Sequence, residues 1–535
     1  MDIEIFLENF LFNYRWVFVC LFVLPCTILV GLKGVIMDIE IFLENFLFNY
    51  RWVFVCLFVL PCTILGKAWS IWETFGGARY DSGHHNDNVK KIQQQIKRRN
   101  EKAPNLMMCT SRPSWKCLSL DNMLYKKYMY NIDVHLNNVL SIDVKNETVQ
   151  VEPGITFGRL VPELIRFGWT LPIVADLRDL TIGGIIMGTG LETSSHKYGF
   201  FHNVCTRYEI VTGNGDLMTC SKTENAELFE CIPCSYGTLG FLTAVEMKII
   251  PAKNYVLLKY HPIIGSTEQL EKTLAHEVEN DNDFVEILMF SQTESVLITG
   301  QMTNEKNKEG IVINKIGRFY KPWFFKYVES FLETNEKKEF IPLQDYYFRH
   351  ESCLFWQIKD IIPFSNHPIF RVLLGWSMPP KISLLKLTQT DIIKRIYRKK
   401  HFVDDFIVPL SSIAETIKLT KNNLNIFPIW ICPVILRPGN GLIHSHSNEE
   451  KMYVDVGLYG FTNVHEFNSN TTSRNLELSL IKLKGYKMLY NSTNLTLNEF
   501  KLMFNHNLYN KLRQKLNCEY NLPELYDKVN KSARN

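Results

Sequence analysis

The sequence lacks a marked excess of either charge. Its 59 lysines and arginines face 55 aspartates and glutamates, a formal net charge of +4 over 535 residues, and the cations are spread along the chain. That excludes the concentrated basic footprint with which proteins hold nucleic acid. The thirteen cysteines form no paired framework, and none has the spacing of a closed zinc site, so no metal is expected. Such usage fits a reducing, cytosol-facing compartment. The one C-x-x-C, Cys231 to Cys234, leads into Ser235-Tyr-Gly237-Thr-Leu-Gly240 rather than a thioredoxin-like helix, and is not read as a redox pair. No G-x-G-x-x-G opens a helix after a strand, which excludes a Rossmann dinucleotide fingerprint.

What is present begins with a duplication. Residues 1–29 recur identically as residues 37–65, each copy starting with Met. Structural repeats diverge because each sits in its own environment, so the pair is read as one duplicated anchor. The apolar stretches, Trp16 to Leu32 and Trp52 to Leu65, fall short of the ~20 residues that span a bilayer. A cleaved signal peptide is the rival, but the leader opens with Asp2 and Glu4 rather than with cations. A retained single-pass anchor is expected. Lys67, Arg79, Lys90, Lys91, Lys97, Arg98 and Arg99 follow it, which places the body in the cytosol.

At this length two or three packing units are expected. The reading is α+β, with a leader over 1–65, a linker over 66–75, a cofactor domain over 76–252, a cap or substrate domain over 253–465 and a helical tail over 466–535. Val89, Ile92 and Ile96 mark one face of a basic helix near 90–102, suited equally to a membrane surface or to packing on the next domain. Leu140, Ile142 and Val144 alternate into a Lys145-Asn-Glu147 turn and return through Val149 and Val151, a hairpin. A helix with Thr156 as its cap follows and stops at Gly168. A second hairpin turns at Gly213-Asn-Gly215, and a strand runs from Phe241 to Ile250. Residues 381–427 read as helices and 428–461 as strands.

The densest motif comprises Thr181, Ile182, Gly183, Gly184, Ile185, Ile186, Met187, Gly188, Thr189, Gly190, Leu191, Glu192 and Thr193, followed by Ser194, Ser195, His196, Lys197, Tyr198 and Gly199. Four glycines in eight residues let backbone N–H groups approach an anion without Cβ obstruction, and an anion-cradling loop is the natural reading. Its company is Val151-Glu-Pro-Gly154 before it and Gly237-Thr-Leu-Gly240 after it. In that order the motifs resemble the FAD domain shared by vanillyl-alcohol oxidase and p-cresol methylhydroxylase, with two subdomains. From about Arg51 onward the chain is more closely similar to the Δ24-sterol reductases, through Arg51-Trp-Val-Phe-Val-Cys-Leu-Phe58, Tyr320-Lys-Pro-Trp-Phe-Phe325, Pro379-Pro-Lys-Ile-Ser-Leu-Leu-Lys-Leu-Thr-Gln389 and Pro428-Ile-Trp430.

The resemblance implies a membrane-bound enzyme of the endoplasmic reticulum, with the Golgi as a second station. It reduces the side-chain 24,25 double bond of a sterol with FAD and NADPH. The implied FAD segment is Thr181 to Thr193, with Ser194, Ser195, His196, Tyr198, Gly199 and Arg112 beside it. The loop where relatives often tether flavin through histidine reads Ser111-Arg-Pro-Ser-Trp115, which implies non-covalent FAD. Ser114 stands where this loop usually carries glycine, and Arg112 could supply charge there. An isolated alkene has no carbonyl to polarise, so its reduction couples protonation to hydride delivery and needs a general acid in a dry pocket. Tyr459, Asp455, His350 and His196 are candidates by type, each equally at home as an ordinary hydrogen-bonded residue. Two other readings stay open: an FAD-dependent oxidase of the same fold, and a membrane scaffold without turnover.

Overall fold

The computed structural model describes residues 48–66, 84–117, 119, 121–305, 310–334, 336–389, 391–465 and 467–534. The first copy of the duplicated leader, Lys67, Arg79 and the 66–75 linker beyond its first residue lie outside the described residues. Within the second copy, Arg51–Phe54 is an α-helical turn, Val55–Val59 a π-helical turn, and residues 60–66 continue helically. Val55, Val59, Leu60 and Thr63 are buried, and the Arg51 guanidinium donates to Thr388 Oγ1 (3.1 Å), the Leu385 carbonyl (3.3 Å) and Tyr397 Oη (2.9 Å). This stretch is therefore docked along one face on the protein body. No helix among the described residues is long and apolar enough to cross a membrane.

The basic helix α1 (His85–Lys102) buries Val89, Ile92 and Ile96. Gln93 Nε2 donates to the Gly215 carbonyl at 2.7 Å, and Arg99 Nη1 reaches Asn521 Oδ1 at 2.7 Å. Its apolar face thus packs on the body, which decides between the two uses the sequence left open. A short parallel pair, Met108–Thr110 with Tyr130–Ile132, completes a small N-terminal subdomain. The larger subdomain is a five-stranded sheet of β1 (Val139–Asp143), β2 (Thr148–Val151), β3 (Cys205–Val211), β4 (Leu217–Ser221) and β5 (Phe241–Lys248), in the order β1-β2-β5-β3-β4. β1–β2 and β3–β4 are the two hairpins expected from alternation and turn residues, and Gly215 takes a positive φ of 96° in the second turn.

Between β2 and β3 lie α2 (Phe157–Arg166) and α3 (Ile182–Gly188). Thr156 occupies the N-cap position of α2 without a side-chain bond. The first N–H groups are met instead by backbone: Phe157 donates to the Leu180 carbonyl and Gly158 to that of Arg178, each at 3.0 Å. Gly168, at φ 81°, ends the turn that follows.

After Pro251 the chain builds an antiparallel eight-stranded sheet from β6 (Tyr255–Ile264), β7 (Phe284–Met289), β8 (Glu294–Thr303), β9 (Lys337–Pro342), β10 (His401–Pro409), β11 (Ile429–Leu436), β12 (Lys451–Phe461) and β13 (Tyr486–Lys487). Their order is β9-β6-β8-β7-β11-β12-β10-β13. β10 corrects the expectation of helices alone over 381–427: α5 (Ile382–Leu387) and α6 (Asp391–Lys400) precede it, and a further helix, Ile413–Asn423, follows. The tail helices return to the first domain. Arg513 donates to the Thr238 carbonyl (2.8 Å) and Tyr509 Oη meets Thr238 Oγ1 (2.7 Å).

Candidate functional site

One cavity runs from the end of α3 to the central strands of the eight-stranded sheet. Its walls include Ile185, Thr189, Gly190, Leu191 and Glu192 on one side and Trp430, Asp455 and Tyr459 on the other. Asp405 of β10, Phe355, Tyr490 and, from the leader, Arg51 complete it. Register explains the sheet side. Val403 pairs with Tyr459, Asp405 with Gly457 and Ile407 with Asp455, so these side chains leave the sheet on one face. Gly457 is required: a Cβ there would lie 2.8 Å from Asp405 Oδ1 and crowd the Tyr459 hydroxyl, which donates to that carboxylate.

The electrostatics are those of carboxyls kept out of water. Beneath the cavity Arg349 binds Glu286 through two hydrogen bonds of 2.8 Å, and Trp430 Nε1 donates to the same carboxylate at 2.9 Å. Despite its burial Glu286 is held below the usual carboxylate range by Arg349, with His350 beside it. Arg349 approaches Asp176 at 3.4 Å, and Asp176 N donates to Glu192 Oε1 at 3.0 Å. One guanidinium cannot neutralise three buried carboxylates. Burial pushes Glu192 up to about 8 and raises Asp176 well above its ordinary value. Across the cavity burial takes Asp405 to about 6 against the opposing pull of the Tyr459 hydroxyl. Asp455 is raised well above the carboxylate range by burial, with Asp405 and Glu192 adding repulsion, and its Oδ1 has no hydrogen-bond partner. Burial and two acidic neighbours therefore favour the neutral, proton-bearing form of Asp455 on the cavity wall.

The aromatic wall rests on unusual backbone. Leu354, Phe355 and Trp356 all have positive φ (46°, 49° and 54°), a left-handed turn costing ~1–2 kcal/mol per residue. Trp356 holds it: the ring is fully buried and its Nε1 donates to the Tyr459 carbonyl at 3.0 Å. His350 stacks behind Phe355 with ring centroids 4.9 Å apart. Thr189, a β-branched residue at φ 73°, is the strained position on the opposite wall.

Three lysines lie beside the site: Lys528 is buried, Lys126 and Lys386 are half-buried, and Lys386 lines the cavity. Lys528, pushed down to about 8 by burial and by Lys126, donates to the Tyr236 carbonyl. Lys386, also held near 8 by burial, donates to the carbonyls of Ser114, Cys117 and Ser119. Lys126 Nζ donates to the Thr110 carbonyl and Oγ1. None of the three forms an ion pair with a carboxylate among the described residues. Tyr236 links them to the glycine segment, its N–H donating to the Met187 carbonyl at 3.0 Å.

The structure distributes the residues expected from sequence. The segment read as a loop is a seven-residue helix, α3, capped by Thr181 Oγ1, which accepts from Gly184 N at 3.2 Å. Ile182, Gly183 and Ile186 are buried; Gly183 donates to the Pro153 carbonyl, and a Cβ there would lie 2.5 Å from the Pro153 side chain. Gly188 lies against the Tyr236 ring at ordinary contact distance. Thr193 and Ser194 bond to Tyr346 and the Pro172 carbonyl, and Ser195 accepts from Glu192 N. His196 bridges the carbonyls of Thr193 and Asn282 at 3.0 Å each, while the Tyr198 carbonyl and Gly199 lie against Arg437. Residues 193–199 thus tie the two domains together. Arg112 is exposed, donating to the Lys116 carbonyl at 3.0 Å. Of the proton-donor candidates, Asp455 and Tyr459 share the cavity with Ile185, Thr189, Gly190, Leu191 and Glu192. His350 is behind the wall, and burial lowers it to about 4, so its imidazole is neutral. Asp405, Glu192 as an acid, Lys126, Lys386 and Lys528 went unread as a group. Asp405 sits on the unforeseen strand, and the lysines are more than 140 residues apart.

The comparisons first define a class. Residues 125–221 match a family model described as an FAD binding domain, so the chain carries the FAD-binding domain of a flavoprotein. Its residues suit that cofactor: lysines without carboxylate partners among the described residues answer a pyrophosphate, and one of them, Lys386, lines the aromatic-walled cavity. The match to whole proteins is narrower. The chain is 44% identical to the Delta(24)-sterol reductase of Homo sapiens over 99% of its length and 96% of that protein's. It is 38% identical to the Delta(24)-sterol reductase homolog of Caenorhabditis elegans over 84% of its length and 88% of the relative's, and 33% identical to the Delta(24)-sterol reductase of Arabidopsis thaliana over 88% of each. The chain belongs to the Δ24-sterol reductase family.

Proposed function

We propose that this protein reduces the side-chain 24,25 double bond of a sterol such as desmosterol, with FAD as bound cofactor and NADPH as reductant. The observation that carries the reading, beside family membership, is a buried carboxyl with an unpartnered oxygen, Asp455, on the wall of an apolar, aromatic-walled cavity. Bound FAD, once reduced, would supply the hydride equivalent. Asp455 gives its proton to the alkene carbon remote from the developing cation. Tyr459, hydrogen-bonded to Asp405, holds the second acid in place and favours a neutral Asp455 through the neighbouring negative charge. Phe355, Trp430 and Tyr459 exclude water and place ring faces toward a developing positive centre. Lys126, Lys386 and Lys528 would hold the anionic part of the cofactor.

The test is anaerobic. The purified flavin should bleach with NADPH and recover its absorbance on adding desmosterol. Recovery with oxygen but not with any Δ24 sterol would favour the oxidase alternative. The same reading places the protein at the endoplasmic reticulum membrane with its body in the cytosol, in keeping with the free thiols of all described cysteines. Protease digestion of intact microsomes should then remove the body; full protection would reverse the topology.

A further inference from the structure

The helix α4 (Pro368–Leu374) buries Phe370 and turns three large aliphatic side chains outward: Ile369, Val372 and Leu373 are 65%, 62% and 64% exposed. Trp376, half exposed, follows it, with its Nε1 donating to the Leu373 carbonyl at 2.9 Å. Phe319 and Tyr320, also about half exposed, lie alongside. Arg371 Nη1 donates to the Tyr320 carbonyl at 2.9 Å, and Gly375 is so close to Phe319 that a Cβ would meet its carbonyl oxygen at 2.6 Å. These six side chains form one outward apolar surface. It continues through Phe364, which contacts both Phe370 and Trp52 of the leader helix, with ring centroids 5.6 and 5.0 Å apart.

Isolated exposed apolar residues need no explanation, but a contiguous group with a predominantly cationic margin does. Residues 311–328 and 361–381, which build this surface and its margins, contain six lysines and arginines and no aspartate or glutamate, while the Asp345 carboxylate reaches the margin at Gly317 N (3.1 Å). In a chain whose overall charge is close to balanced, that is a local bias toward anionic surroundings. Short outward aliphatic helix, aromatic residues at its edge and a cationic margin are together the features of an element lying in a lipid interface, aliphatics in the acyl region and cations at the headgroups. The next element, α5, supplies Ile382, Leu385 and Lys386 to the cavity wall, and Thr63 of the leader helix accepts from Lys381 N at 3.2 Å. The surface and the cavity are therefore built on adjoining chain.

We infer that α4 with Phe319 and Tyr320 is a monotopic docking surface for an anionic lipid bilayer, setting the cavity against the membrane from which a lipid substrate is drawn. The purpose rests on the sterol reading; the docking does not. The test uses the full chain bound to vesicles of phosphatidylcholine and phosphatidylserine containing a photoactivatable phosphatidylcholine, with lipid-modified peptides mapped by mass spectrometry. Peptides covering 364–376 and 319–320 should carry lipid. In I369D/L373D their labelling should fall at least ~10-fold, as expected for charge placed at membrane depth, while FAD absorbance and NADPH oxidation in detergent are unchanged. Wild-type vesicles in which the leader is labelled and 364–376 is not would overturn the inference, as would crosslinks from 364–376 to a second copy or to another protein. The wild-type map decides even if the variant fails to fold. Lipid labelling without sterol turnover would remove the reductase reading and leave the docking surface standing.

Discussion

At the residue scale the account turns on carboxyls that stay protonated. Asp455→Asn preserves shape and removes the transferable proton, so kcat should fall ~10²–10⁴-fold, the usual contribution of a general acid. FAD content should be unchanged, and stopped-flow mixing of the reduced enzyme with sterol reads the loss. Glu192 gives a stability prediction with a definite sign. Its folded pKa of about 8 lies above its ordinary value of 4.5, so between those values the folded state holds more protons than the unfolded one. Stability from this group is present below about pH 4.5 and is lost as pH rises toward 8. Glu192→Gln should therefore flatten the decline of Tm between pH 5 and 8, most visibly at the alkaline end, in a thermal-shift series. A steeper decline in the variant would contradict the assignment. Asp455 and Tyr459 could be nominated from sequence by residue type, but their protonation could not, because it depends on Asp405 and Glu192, which are distant in sequence and close in the cavity.

At the scale of elements, the first sheet was legible because its hairpins carry local signals: alternation across Leu140 to Val151, Gly-Asn-Gly at 213–215, and a helical stripe stopping at Gly168. β10 was not. Its sequence, His401-Phe-Val-Asp-Asp-Phe-Ile-Val-Pro409, puts two adjacent acids at the centre of an otherwise apolar run, between helices, and only pairing with β12 accounts for them. The glycine segment was legible as important and misread as a loop, because glycines 183 and 184 are poor helix formers and tertiary contact with Pro153 overrides that. Gly457 joins β10 to β12 in function. Gly457→Ala should disrupt the Tyr459–Asp405 hydrogen bond and lower turnover with little effect on bound FAD, checked by parallel absorbance and rate measurements. Arg349 joins the 343–349 segment to β7. Arg349→Met leaves Glu286 buried without its partner and should destabilise the protein by about 3–5 kcal/mol in urea unfolding.

At the scale of the whole molecule, the site exists only because distant segments converge. The glycine helix, the 110–117 segment, α5 and the C-terminal helix bearing Lys528 bring the cation group together, and the eight-stranded sheet supplies the acids Asp405 and Asp455. Lys386→Gln and Lys528→Gln combined should sharply reduce FAD retained through gel filtration, while desmosterol binding to the remaining holoenzyme is unchanged. The most direct measurement of the central claim is conversion itself. Full-length protein in membranes, given NADPH and desmosterol, should yield cholesterol by mass spectrometry, and Gly184→Trp, which places a large side chain at the capped start of α3, should abolish it. FAD-loaded protein that converts neither desmosterol nor other Δ24 sterols would contradict the account.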